Sequence, residues 1–205
     1  MEYRTAEGKT EHGRGRVIDF NREGGKDKNQ YLVVTHLWVL GLTGYLRPDV
    51  LIYVNGLPLV FIELTNSKVN VRNAYEDNLA RYKAKIPYLF HYNAFCILSN
   101  ALDTLVGSFN ANWEYFFVWL HPDDKKEKIN RKSIEKQGIN IERVLDGLFP
   151  HERLLDYIQN FIVYYNETEK IIAQNHQFIG VNKALKVFQE RQKHKKKDKG
   201  KLGVF

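Results

Sequence analysis

Two apolar runs, Val50-Leu-Ile-Tyr-Val54 and Leu57-Pro-Leu-Val-Phe-Ile62, meet at Asn55-Gly56. No short sequence signal specifies a β-hairpin more strongly. Asp49 leads into the first run and Glu63 sits near the end of the second. With the turn centred on Gly56, both acids lie seven residues from it and face one another. Facing partners point to the same side of a sheet, with Cβ atoms about 5 Å apart. Two carboxylates at that separation among Val, Leu, Ile and Phe repel each other and lose hydration. A divalent cation between them relieves both penalties, so the hairpin is a candidate metal site on residue chemistry alone. The plainer alternative is that Asp49, following Pro48, caps the strand while Glu63 faces solvent. Both runs are dense enough in apolar residues for strands buried on both faces, where an unpartnered carboxylate has no stable place.

The 205 residues suit one domain with appendages, long enough to bury a substantial core. An aromatic content of 13% excludes a disordered chain. The apolar runs fall far short of the ~20 residues a membrane span needs, and the polar N-terminus is no signal peptide. No membrane partner is expected, and the expected compartment is the cytoplasm. Cys96, the single cysteine, reads as a buried core thiol and excludes disulfides and cysteine-rich zinc sites. The net charge of +7 is concentrated. Residues 191–201 hold seven Lys or Arg against one Asp, leaving 24 basic and 23 acidic residues elsewhere. The body of the fold is thus nearly neutral and offers no general basic surface.

Residues 15–20 and 31–40 read as strands separated by a polar, glycine-rich loop. After the 49–64 hairpin, Val69 to Lys85 reads as an amphipathic helix ended by Pro87. Asn93–Ser99 reads as a buried strand, Asp103–Ser108 as its short partner, and Trp113–Leu120 as a strand or strand-turn. Beyond residue 123 the pattern is helical at 133–147, 151–165 and 169–192, with no clear strand until Leu202-Gly-Val-Phe205. The fold class expected is α/β (α+β-like), a mixed central sheet flanked by helices and followed by a mainly helical C-terminal segment. Three regions are expected: residues 1–122 carrying the sheet, 123–190 as a helical connector, and 191–205 as a basic linker.

Asp49, then Glu63-Leu64-Thr65, then a helix is the order of the PD-(D/E)XK nuclease core, which the chain resembles. Arg16-Val-Ile-Asp-Phe, Arg47-Pro-Asp-Val, Val54-Asn-Gly-Leu-Pro-Leu-Val, Ile62-Glu-Leu, Asn93-Ala-Phe-Cys-Ile-Leu-Ser-Asn and Trp113-Glu-Tyr-Phe extend the match. Together they are similar to the N-terminal endonuclease domain of the restriction subunit of type I restriction–modification enzymes. The resemblance implies a restriction-endonuclease-like fold and a Mg²⁺ ion held by Asp49, Glu63 and the Leu64 carbonyl. It further implies cleavage of double-stranded DNA by an assembly with methyltransferase and specificity subunits. His176-Gln177-Phe178 resembles the segment leading into that family's ATP-driven motor, and Leu202–Phe205 the strand before its phosphate-binding loop. By this resemblance the chain is a fragment ending before the nucleotide site. Gln177 is a candidate adenine contact only in a full-length subunit, where ATP would bind.

Two departures from the family pattern stand out. The lysine expected two residues past the second acid is Thr65, which carries no charge. Losing one such electrostatic contact commonly costs ~10²–10³ in rate. The family's Gln-x-x-x-Tyr on the following helix is Asn78-Leu-Ala-Arg-Tyr82, in which Tyr82 matches and Asn78 is one methylene short. Arg81 and Lys83 are assigned to other helix faces, which leaves Lys68, five residues past Glu63, as the candidate substitute lysine. Two functions follow: a Mg²⁺-dependent endonuclease domain with Asp49, Glu63, Thr65, Asn78 and Tyr82 in the site, or a catalytically degenerate nuclease fold acting as a DNA-contact or subunit-docking module. The remaining histidines, His36 and His91 among them, lack metal-ligand spacing and read as packed or surface groups.

Overall fold

The computed structural model describes residues 2–4, 9–12, 17–20, 27–122 and 140–193. Arg16, the start of the 133–147 helix, most of the basic run and Leu202–Phe205 lie outside the described residues. The centre is a six-stranded mixed sheet. In chain order the strands are β1 (Glu2–Arg4), β2 (Thr10–His12), β3 (Tyr31–Thr35), β4 (Val39–Gly41), β5 (Gly44–Leu46), β6 (Val50–Val54), β7 (Leu57–Leu64), β8 (Phe95–Ser99), β9 (Thr104–Gly107) and β10 (Phe117–Val118). The sheet order is β10-β9-β8-β7-β6-β3, in which only the β7–β8 pair is parallel. Strands β1–β2 and β4–β5 form separate two-stranded ribbons.

The hairpin turn forms as the sequence indicates. Asn55 and Gly56 have φ of +50° and +82°, the pair of left-handed residues that a type I′ turn requires. Asn55 also uses its side chain: Oδ1 accepts the Gln30 N–H at 2.7 Å and Nδ2 donates to the Val17 carbonyl at 2.8 Å. Asn29 binds both backbone groups of Asp19. With those groups taken by side chains, residues 17–20 form a bend and loop rather than the expected strand.

Alternation sorts the sheet's side chains onto two faces. Ile52, Val54, Val60, Ile62, Phe95 and Ile97 share one apolar cluster with Trp119, Leu148, Leu154, Tyr157 and Phe178. Leu51, Phe61, Cys96 and Leu98 share the other with Leu79, Tyr82, Ile86 and Phe90. Both faces are therefore covered, which explains the apolar density of β6 and β7. Cys96 is fully buried, as expected, and burial pushes its thiol up to about 12.

The expected 69–85 helix starts later, as a π-helical turn (Ala74–Leu79) continuing into α1 (Ala80–Lys85). Further on lie α2 (Asn140–Leu148), α3 (His151–Asn160) and α4 (Asn175–Lys193). Between α3 and α4 the expected continuous helix pattern fails. Ile162–Tyr165 and Glu169–Ile172 pair as a hairpin, β11–β12. Left-handed Asn166 and Glu167 turn the chain, and β-branched and aromatic residues favour strand there. Lys170 on β12 is buried, donating to the Asn93 carbonyl, with its ammonium 4.8 Å from the Phe109 ring centre. No helix among the described residues is long and apolar enough to cross a membrane.

Two glycines separate packing from propensity. Replacing helical Gly by Ala ordinarily stabilises by up to ~1 kcal/mol. Gly180 on α4 has open space, and Gly180→Ala is expected to gain roughly that amount. A Cβ on Gly147 would lie 2.1 Å from Nε1 of the buried Trp119. We therefore expect Gly147→Ala to destabilise by ~1–3 kcal/mol. Urea denaturation of both variants checks the opposite signs.

Candidate active site

An irregularity in the hairpin brings the two acids together. Beside the turn the ladder pairs Val54 with Leu57 and Tyr53 with Pro58. Beyond Leu59 it pairs Ile52 with Val60 and Val50 with Ile62. An unbroken two-residue hairpin would set Asp49 against Ile62. The bulge at Leu59 advances β7 by one residue, and the next pair in the series becomes Asp49 and Glu63. Pro58 offers no N–H to the ladder, which suits it to a bulge. The Leu59 carbonyl accepts the Ala94 N–H at 2.6 Å and Asn93 Nδ2 at 3.2 Å.

Alternation puts Glu63 on the Phe61 face, beneath the π-turn and α1. Glu63 is 3% exposed, and among the described residues its Oε2 has no hydrogen-bond partner. Burial pushes its carboxyl up to about 8, and the Asp49 charge pushes the same way. The Arg81 guanidinium, the Asp49 backbone amide and the Asn78 side chain act in the opposite sense. Asp49 is less enclosed, with its side chain 24% exposed. Its Oδ2 accepts the Leu64 N–H at 2.9 Å. Leu64, the residue whose carbonyl is a candidate ligand, thus lies against Asp49.

The helix places two of its side chains near the acids. Asn78 faces Glu63. Tyr82 is buried edge-on against Phe61, with centroids 5.3 Å apart, and its hydroxyl donates to the Arg47 carbonyl at 3.1 Å. That bond fixes the Arg47-Pro48-Asp49 backbone. The Thr65 hydroxyl donates to the Ser99 carbonyl at 3.4 Å, across to β8. Lys68 is exposed in the turn after β7, where its N–H meets Asn66 Oδ1 at 2.9 Å. Gln177 lies in the first turn of α4 and accepts the Gln174 N–H at 2.7 Å. It lines a groove of about 530 Å³ between β11–β12, α3 and α4 that includes neither acid.

Two residues join the site without having been singled out from sequence. His36, left-handed at φ +53°, donates its N–H to the Asp49 carbonyl at 2.8 Å, and its Nδ1 lies 3.8 Å from Asp49 Oδ1. No spacing rule marks it, because the contact depends on the chain reversing after β3. Arg81, assigned from sequence to another helix face, instead acts on Glu63 and reaches Asn78. Residues three apart share a helix face as residues four apart do.

Among the described residues, no three His, Cys, Asp or Glu side chains gather as a metal cluster. Asp49 and Glu63 are the pair that could hold a divalent cation. Mg²⁺ suits such a pair, because it is bound through one or two carboxylates and keeps several waters.

Glu63 yields a signed pH prediction. In the fold it keeps its proton up to about pH 8, whereas in the unfolded chain it ionises near 4.5. The unfolded state binds fewer protons between those limits, so Glu63 lowers stability as pH rises through that window. We expect Glu63→Gln to match the wild type near pH 4.5 and, above about pH 8, to exceed it by on the order of a few kcal/mol. Urea denaturation across that range measures the difference; equal stabilities at both ends would contradict the burial of an uncompensated acid.

Comparison with known proteins assigns the chain to a family. A profile for the type I restriction enzyme R protein N terminus matches residues 2–115. The type I restriction enzyme HindI endonuclease subunit of Haemophilus influenzae is 33% identical over 178 residues, covering 83% of this chain and 16% of that protein. A Methanocaldococcus jannaschii protein, provisionally named as the type I restriction enzyme MjaIXP endonuclease subunit, is 30% identical over 188 residues, covering 83% of this chain and 17% of its own length. The chain thus spans under a fifth of either relative. By profile and by these relatives, it belongs to the type I restriction enzyme R protein N-terminal family.

Proposed function

We propose that this chain is the DNA-cleaving domain of a type I restriction enzyme R subunit, built on a PD-(D/E)XK core. It would hydrolyse phosphodiesters of double-stranded DNA with Mg²⁺, inside an ATP-dependent complex containing methyltransferase and specificity subunits. Nucleotide use belongs in this reading to the full-length subunit. The carrying observation is Glu63, buried opposite Asp49 with one carboxylate oxygen unpartnered. A buried acid beside a second acid is unfavourable in isolation and is relieved by a divalent cation.

Each side chain then has a stated task. Asp49 and Glu63 hold the cation, and the Leu64 carbonyl is the proposed third protein ligand. Asn78 orients the Glu63 carboxylate. Tyr82 holds the backbone that aims Asp49. Magnesium, when bound, supplies Lewis acidity toward the phosphodiester and an acidified water. Thr65, whose hydroxyl is bonded to Ser99, offers no charge to the developing phosphorane. That observation favours the second reading, a nuclease fold kept for DNA contact or subunit docking.

Calorimetric titration with Mn²⁺ and plasmid nicking separate the two readings. We expect one Mn²⁺ site in this chain, lost in Asp49→Ala and Glu63→Ala. Within the assembled complex of the full-length subunit, Thr65→Lys should raise nicking by about tenfold. Binding that survives both alanine variants would overturn the metal site, while an inert Thr65→Lys complex would favour the docking module.

A further inference from the structure

Thr65 leaves β7 without a cation beside the acids, and the neighbouring helix supplies one. We infer that the Arg81 guanidinium meets a non-bridging oxygen of the phosphodiester at this site, taking the part of a positive group at position 65. This rests on the nuclease reading above and names the residue carrying its missing charge.

Asn78, Arg81 and Tyr82 sit at i, i+3 and i+4 and line one side of the helix. Arg81 Nη2 donates to Asn78 Oδ1 at 3.5 Å, and the guanidinium carbon lies 5.4 Å from the Tyr82 ring centre. Asn78 faces Glu63, and Tyr82 grips the backbone leading to Asp49. Arg81 is thus held between the two residues that adjoin the acid pair. Its charge favours the ionised form of Glu63, consistent with that position. Arg81 is exposed. Its planar fork has five N–H donors, more than Asn78 and Tyr82 can occupy, and matches phosphate oxygens in pairs.

Other nearby cations are directed elsewhere. The Lys83 ammonium lies 5.7 Å from the Tyr75 ring centre, Arg72 binds Glu76 at 2.7 Å, and Arg47 lies over Trp38. Lys68 is exposed in the turn after β7, where its backbone N–H meets Asn66. Arg81 instead bonds Asn78 on the helix face that lies over Glu63.

The test combines duplex binding by this chain in Ca²⁺ with nicking in Mg²⁺ by the assembled full-length complex. Binding of a short fluorescent duplex is followed against salt for wild type, Arg81→Ala, Arg81→Lys and Lys83→Ala, with circular dichroism to check folding. Arg81→Ala should bind about tenfold more weakly, with the salt slope reduced by about one, whereas Lys83→Ala should match the wild type. Nicking should fall ~10² in Arg81→Ala and recover to within about tenfold of wild type in Arg81→Ala/Thr65→Lys. Arg81→Lys keeps the charge but not the fork, so its slope should hold while nicking falls about tenfold; it decides the matter if the alanine variant does not fold. Wild-type slope and nicking in Arg81→Ala would overturn the Arg81 role and leave the nuclease reading standing. A wild type that neither binds duplex nor nicks would overturn both, and nicking retained in Asp49→Ala would overturn the nuclease reading itself.

Discussion

Glu63 and Asp49 are held opposite each other at the covered end of a hairpin, and one Glu63 oxygen has no partner among the described residues. Every nearby element bears on that pair. The Leu59 bulge sets the register, the Tyr82 hydroxyl fixes the approach to Asp49, and Asn78 and Arg81 face the carboxylate from the helix. A buried acid beside a second acid destabilises a fold. Glu63 sits on a strand otherwise made of Leu, Pro, Val, Phe and Ile, whose burial offsets that cost.

The two faces of the sheet divide that labour. One face packs Trp119, Tyr157 and Phe178 in mutual contact, with centroid separations of 5.4–5.8 Å. The other face packs Phe61 against Tyr82 and Phe90, and at its edge gives way to Glu63 and the polar side of the helix. The π-helical turn at Ala74–Leu79 sits at that edge and includes Asn78; such turns are frequent at functional sites.

Much of this was legible beforehand, for identifiable reasons. Asn55-Gly56 specified the turn, and continuous apolar runs specified β6, β7 and β8. The facing of Asp49 and Glu63 was reached by centring the turn on Gly56. The turn is in fact centred between Asn55 and Gly56, and the Leu59 bulge restores the same facing. A bulge is a tertiary compromise, and Pro58 marks it only weakly in sequence. Arg81 was recoverable, since the i+3 relation holds as firmly as i+4. His36 was not, because its contact exists only once the chain reverses between β3 and β4. The β11–β12 hairpin was hidden by the helices on either side, although Ile162-Val-Tyr-Tyr and Ile171-Ile172 are strand-forming residues.

Diffraction from crystals grown with Mn²⁺ and recorded at the manganese edge bears most directly on the acid pair. An anomalous peak should bridge the Asp49 and Glu63 carboxylates, with an oxygen of each about 2 Å away. The absence of a peak between them at saturating Mn²⁺, or a peak that persists in Glu63→Ala crystals, would contradict the central claim that this hairpin is built to hold a cation.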